Sequence, residues 1–262
     1  MRVKPYVLVF KSNLSKEMSY RFNFLFSFFL HITRLLICLA VWSVIFSNHE
    51  MIKNYTWNEM ASYYGISMIV VIIYYPGHMF DLQPLIRKGT LSALLIKPIN
   101  MEANIFAKFC ASKLPTLIVF SGITFLTLYL IGISLTLSVT PITIAFCCLS
   151  FFLSFYFGLC VSVLAFWLVE MWPLRRVFQG CMALFGGVIA PLDLLPNYIS
   201  TSAFYSPFPY LGYFNVKAIQ GKLTEFELLF YCAITCIWIL VFVLGFRLLW
   251  NLGLKRYEAV NL

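Results

Sequence analysis

Apolar residues arrive along this chain in runs of roughly twenty, the length a helix needs to cross a hydrocarbon core about 30 Å thick. Between the runs lie short polar stretches that hold most of the charge. The pattern predicts spanning helices over residues 23–47, 57–80, 114–137 and 140–169, and from 224 to about 250. Pro115 is expected in a first turn, where its missing N–H is tolerated. Thr140-Pro141 reads as a cap followed by a first helical residue, and Thr224 with Glu227 as a capping box. A fifth segment, residues 177–189, spans only about 20 Å as a helix. It runs into Pro191, Pro196, Pro207 and Pro209, interspersed with Asp193, Asn197 and aromatic residues. Residues 5–22 differ from the rest. Val7, Phe10, Leu14 and Met18 recur at three- and four-residue spacing between Lys11, Asn13, Lys16 and Glu17, which predicts an amphipathic helix lying flat in the headgroup layer.

Composition agrees with this all-α polytopic membrane fold, a single domain over residues 1–262. The chain is 61% hydrophobic and 11% charged, with mean hydropathy +0.88; a soluble domain carries about 25% charged residues. The net charge of +9 does not imply nucleic acid, because the basic residues sit at the ends of apolar runs, where they set topology. With the N-terminus inside, one side holds fourteen Lys and Arg, among them Arg2, Lys4, Arg87, Lys88, Lys97, Arg175, Arg176 and Lys255. The other side holds Lys53, Lys217 and Lys222. Six spans with both termini in the cytoplasm are the consequence. Residues 81–108 are then a cytoplasmic loop and 190–222 an outer segment. The N-terminal apolar stretch is too short for a signal peptide.

Little in the chain suggests catalysis. Eight Cys form no C-x-x-C and have no ligand spacing with His, so they read as packing residues. The phosphate-cradling G-x-x-x-x-G-K-[ST], H-E-x-x-H and G-x-S-x-G are missing, and His31, His49 and His78 are too scattered for a metal centre. His31 and Arg34 share a helix face. Arg34 lies eleven residues past Asn23, about 16 Å along the helix. It is either a charge on a substrate path or between helices, or an anchor that snorkels to the headgroups.

The polar stretch "RKGTLSALLIKPIN", residues 87–100, is the most informative. Gly89 permits a sharp turn, and Thr90 can cap a short helix behind it. Leu91, Leu94 and Leu95 fall on one face of that helix, which Pro98 ends at Lys97. A helix of under two turns is not stable alone. It needs a surface to dock on, either lipid headgroups or a partner protein.

This stretch resembles the I-x-x-G-x-L-x-x-x-L-[LI]-x-P-x-N pattern of membrane subunits of bacterial type-2 ABC exporters. Thr56-Trp57, opening a helix, "GGVIAPLDLLP" at 186–196 and "WNLGLKRYEA" at 250–259 are similar to further motifs of that family, in order. The resemblance implies that Arg87, Lys88, Gly89, Leu91, Leu94, Leu95, Lys97, Pro98 and Asn100 form a coupling helix seated on a separate ATPase, which carries ATP and Mg while this chain holds no cofactor. It also implies a second six-helix subunit, identical or related, and a place in the bacterial inner membrane. Short re-entrant helices around Pro191, Asp193, Pro196, Pro207 and Pro209 would form an outer gate. The alternatives are a membrane-surface turn for the first segment and an ordinary outer loop for the second. For the whole chain they are a non-transporting scaffold or sensor, or an ion-coupled transporter, although the spans lack the mid-span carboxylates the latter wants.

Overall fold

The computed structural model describes residues 4–19, 21–96 and 100–257. The described residues are almost entirely helical, with one two-stranded hairpin. Helix α1 (Lys4–Ser19) precedes α2 (Arg21–Phe46). The hairpin β1 (Met51–Ile52) and β2 (Tyr55–Thr56) turns through Lys53 at φ 51°. Helix α3 (Trp57–Tyr74) opens on a capping box in which Thr56 and Glu59 satisfy each other's backbone N–H. It ends because Tyr75, preceding Pro76, is held extended (ψ 117°), and a 3-10 turn (Gly77–Phe80) comes next.

Next come α4 (Leu82–Arg87) and α5 (Leu91–Leu95). Helix α6 (Met101–Leu130) starts from an Asn100 cap, well before residue 114. Pro115 is therefore inside α6 and not in its first turn, and residues 101–108 are helix and not loop. Membrane helices tolerate an interior Pro because neighbouring groups satisfy the freed backbone. Helix α7 (Pro141–Ser162) carries the expected Thr140 cap and continues as a 3-10 turn to Phe166. Helix α8 (Trp172–Leu184) begins five residues earlier than the apolar pattern suggests, with Pro173 in its first turn, so Arg175 and Arg176 lie on a helix. The outer segment holds a 3-10 turn (Leu192–Leu194), α9 (Asn197–Phe204), a second 3-10 turn (Pro209–Leu211) and α10 (Tyr213–Ile219). Helix α11 (Glu225–Arg256) opens on the Thr224–Glu227 capping box.

Five helical stretches among the described residues are long and apolar enough to cross a membrane: Phe26–Phe46, Trp57–Arg87, Met101–Leu130, Pro141–Phe166 and Glu225–Arg256. The fifth element in chain order, α8, has thirteen residues, as short as the sequence implies, and the irregular backbone after it extends its reach.

The helices enclose two cores. The outer one centres on α3 and α10, with Tyr63, Tyr64, Tyr210 and Phe214 among its buried residues. The inner one gathers Leu82 and Leu91 with Ile105, Phe109, Phe155, Leu159 and Phe246. Helix α7 reaches both. There Gly158 lets the His78 ring lie against the α7 backbone, where any Cβ would overlap the ring and Pro76. His78 Nε2 donates to the Phe155 carbonyl oxygen at 2.8 Å.

Candidate functional site

The segment from Arg87 to Leu95 is bolted to the inner core. Gly89, at φ 67°, makes the turn between α4 and α5. Thr90 does not cap α5: its backbone is helical, and its hydroxyl reaches the Leu85 carbonyl at 3.4 Å. The three leucines expected on one face separate. Leu91 is fully buried in the inner core, Leu94 is half-buried against Met101, and Leu95 is 42% exposed. Ile96, which the leucine spacing does not single out, is 84% exposed. Arg87 and Lys88 are exposed beside them, and Asn100 accepts the Ala103 N–H while its own N–H donates to the Tyr6 hydroxyl on α1. Lys97 and Pro98 lie outside the described residues.

A second tie comes from the turn between α7 and α8. Gln83 Nε2 donates to the Val169 carbonyl at 2.8 Å, and Arg87 pairs with Glu170 at 3.1 Å. Both partners of that pair are about half exposed, so it contributes little energy and mainly fixes direction. Arg175 on α8 donates to the Tyr75 hydroxyl at 2.9 Å and lies over the Phe80 ring. The stretch after α3 is thus held to the start of α8 as well as to α6.

Lys113, which carries no motif, has a structural task there. From α6 its ammonium donates to the Ile72 carbonyl at 2.8 Å and the Tyr75 carbonyl at 2.7 Å. These are carbonyls left bare where Pro76 stops α3, and a cation at a helix C-terminus also meets its negative pole. Helix α3 has eighteen residues, about 27 Å, close to one hydrocarbon thickness. Beside its capped end, α1 packs along α6.

On the other side of α3, His31 and Arg34 do share a face. His31 is buried, hydrogen-bonded through Nε2 to Thr124 Oγ1 at 2.8 Å and edge-on to Phe120 at 4.9 Å. Arg34 is exposed. Together with Met68, Ile72 and Val188 they line a cleft of about 190 Å³.

The outer segment is drawn inward by tyrosines. Two turns into α3, the Tyr63 hydroxyl donates to the Gly187 carbonyl at 2.7 Å and that of Tyr64 to the Ile189 carbonyl at 2.5 Å. These bonds satisfy backbone that has no helix of its own, the condition for irregular chain at that depth. Pro191, Pro207 and Pro209 are buried and Pro196 is exposed. Asp193 is a point of convergence. Its carboxylate accepts from the Tyr55 hydroxyl at 2.9 Å and Lys217 at 2.9 Å, while its carbonyl accepts from Lys53 of the hairpin. The Lys217 ammonium lies 4.6 Å from the Tyr55 ring centre, and Lys222, paired with Glu59, lies 4.5 Å from it. Burial, and after it the Asp193 charge, pushes the Tyr55 and Tyr213 phenols well above the usual tyrosine range. Of the groups that converge on Asp193, none was legible as a candidate beside it. The tyrosines and lysines converge from segments more than a hundred residues apart, which no local spacing encodes.

A family model described as "ABC-2 family transporter protein" matches residues 32–260 of the chain. No curated protein matches it.

Proposed function

Because the chain belongs to the ABC-2 transporter family of membrane proteins, we propose that it is the membrane subunit of an ATP-driven exporter that takes its energy from a separate ATPase. The observation that carries this reading is the inner block of α4 and α5. Leu91 roots it in the core and Glu170 braces it, while Leu95 and Ile96 remain bare and Arg87 and Lys88 are exposed on the same block. A rooted block with a small greasy tip suits a groove on another protein better than a lipid surface, because it can transmit a push without folding away. ATP and Mg act on the partner. Its closure presses on the tip, and α4 passes the displacement to α3 and, through Gln83 and Arg87, to the α7–α8 turn. Asn100, at the start of α6, takes up the far side, and Lys97 and Pro98 complete the contact by the family resemblance.

Two such subunits, identical or related, enclose the path. His31 ties α2 to α6, and Arg34 supplies the charge on the cleft beside it. The outer segment from Pro191 to Pro209 closes the far end and is released when the contacts of Asp193 break. The excess of Lys and Arg supports an inner-membrane protein with both termini in the cytoplasm.

The test is ATP hydrolysis that copurifies with the tagged chain from its native membrane. Leu95→Glu with Ile96→Glu should abolish it while the chain stays folded, its unfolding temperature lower by only a few degrees. Undiminished copurifying hydrolysis in a folded double variant rejects the docking role.

A further inference from the structure

Beside the Lys113 cap, α1, the 3-10 turn after α3 and α6 enclose a pocket of about 310 Å³ that the transport reading does not use. Its wall includes Asn13, His78, Asp81, Lys108, Ser112 and Lys113. Lys108 makes no hydrogen bond or ion pair among the described residues. Lys113 spends two of its three N–H donors on the end of α3 and keeps one. Asn13 spends one amide hydrogen on the Val9 carbonyl and keeps the other. Ser112 donates to the Phe109 carbonyl and adds no donor.

The second, independent feature is His78. It is 6% exposed, yet its Nδ1 is buried without any partner. Because Nε2 faces a carbonyl, it must carry the ring proton, which leaves Nδ1 a bare acceptor. An orphaned buried acceptor is costly unless something donates to it. The pocket therefore offers two ammonium groups and an amide N–H on one side, and asks for a hydroxyl on the other. The Asp81 carboxylate on the same wall offsets part of the positive charge, which suits a monoanion better than a dianion.

We propose that this pocket binds a hydroxyl-bearing phosphate monoanion, whose charged oxygens meet Lys108, Lys113 and Asn13 and whose hydroxyl donates to His78 Nδ1. Two sources carry that chemistry: the phosphoglycerol headgroup of an anionic lipid at the inner interface, and free dihydrogen phosphate. Basic pockets between membrane helices on the cytoplasmic side are where anionic headgroups settle.

Native mass spectrometry of the purified full-length chain, titrated in separate arms with phosphatidylglycerol, phosphatidylcholine and inorganic phosphate, distinguishes them. Wild type should hold phosphatidylglycerol about tenfold more tightly than phosphatidylcholine, a difference of about 1.4 kcal/mol. Lys108→Gln should erase that preference, whereas Lys11→Gln, an exposed charge on α1, should leave it. Lys108-dependent binding of inorganic phosphate without a lipid preference assigns the pocket to the soluble ion. Asn13→Leu repeats the test from the α1 side should Lys108→Gln fold poorly, with unfolding temperature in phosphatidylcholine nanodiscs as the fold control. Equal retention of both lipids with no Lys108-dependent phosphate binding overturns the proposal. So does an equal loss in Lys11→Gln, which would mean diffuse surface attraction.

Discussion

Leu91 and Leu95 stand four residues apart on one short helix and should answer truncation in opposite ways. Leu91 has no exposed surface and sits among Leu82, Ile105, Phe109 and Phe155. Cutting it to alanine removes buried methyl groups and leaves a void that rigid helices close only in part, a loss of about 2–5 kcal/mol. Leu95 is 42% exposed. Full burial of a leucine is worth about 1.5–3 kcal/mol, so truncating one about three-fifths buried should cost about 1–2 kcal/mol. One kcal/mol moves the unfolding temperature of a chain this size by about 2–4 °C. Leu91→Ala should therefore lower it by about 4–20 °C, and Leu95→Ala by about 2–8 °C. Intrinsic fluorescence of the six Trp during heating in detergent reads both shifts. The copurifying ATPase activity should show the reverse order among molecules that remain folded, with Leu95→Ala the weaker binder. Equal shifts for the two variants, or a Leu91→Ala that melts like wild type, would refute the claim that the block is rooted through Leu91.

Other parts of the molecule make equally definite demands. Asp193→Ala should cost about 1–3 kcal/mol, because it strips a charged partner from Lys217, whose side chain is 11% exposed; in a Lys217→Met background the same change should cost measurably less in a double-variant melting cycle. Gly158→Ala should destabilise by about 1–3 kcal/mol by driving a methyl group into the His78 ring, and thermal unfolding checks it. Tyr55 and Tyr213 have folded pKa values above their unfolded ones, so the stability they contribute is present below about pH 10 and is lost as pH rises through the folded values. Absorbance near 295 nm should show both still protonated at pH 11 until the chain unfolds.

Local signals in the sequence proved readable where the chemistry is local. The caps at Thr140 and Thr224 and the turn at Gly89 stand where their residue types place them. The start of α6 was misplaced because Pro115 looks like a first-turn proline, whereas Asn100 is the residue whose side chain caps the helix. At the inner site the apolar spacing identified a greasy helix but could not say which leucine points inward, since five residues describe barely more than one turn. The tasks of Lys113 and His78 were hidden for a different reason. Each matters through a partner far along the chain: the carbonyls of Ile72 and Tyr75 for one, that of Phe155 for the other.

The borrowed end of α3 has a consequence for how the protein is made. Its carbonyls find their ammonium 38 residues downstream of Tyr75, on a helix that the ribosome has not yet finished when α3 first emerges. Until then the severed terminus has only water to turn to and must linger at the bilayer edge. The two helices thus enter lipid as an obligatory pair, and a ribosome stalled between them leaves a membrane segment that cannot settle.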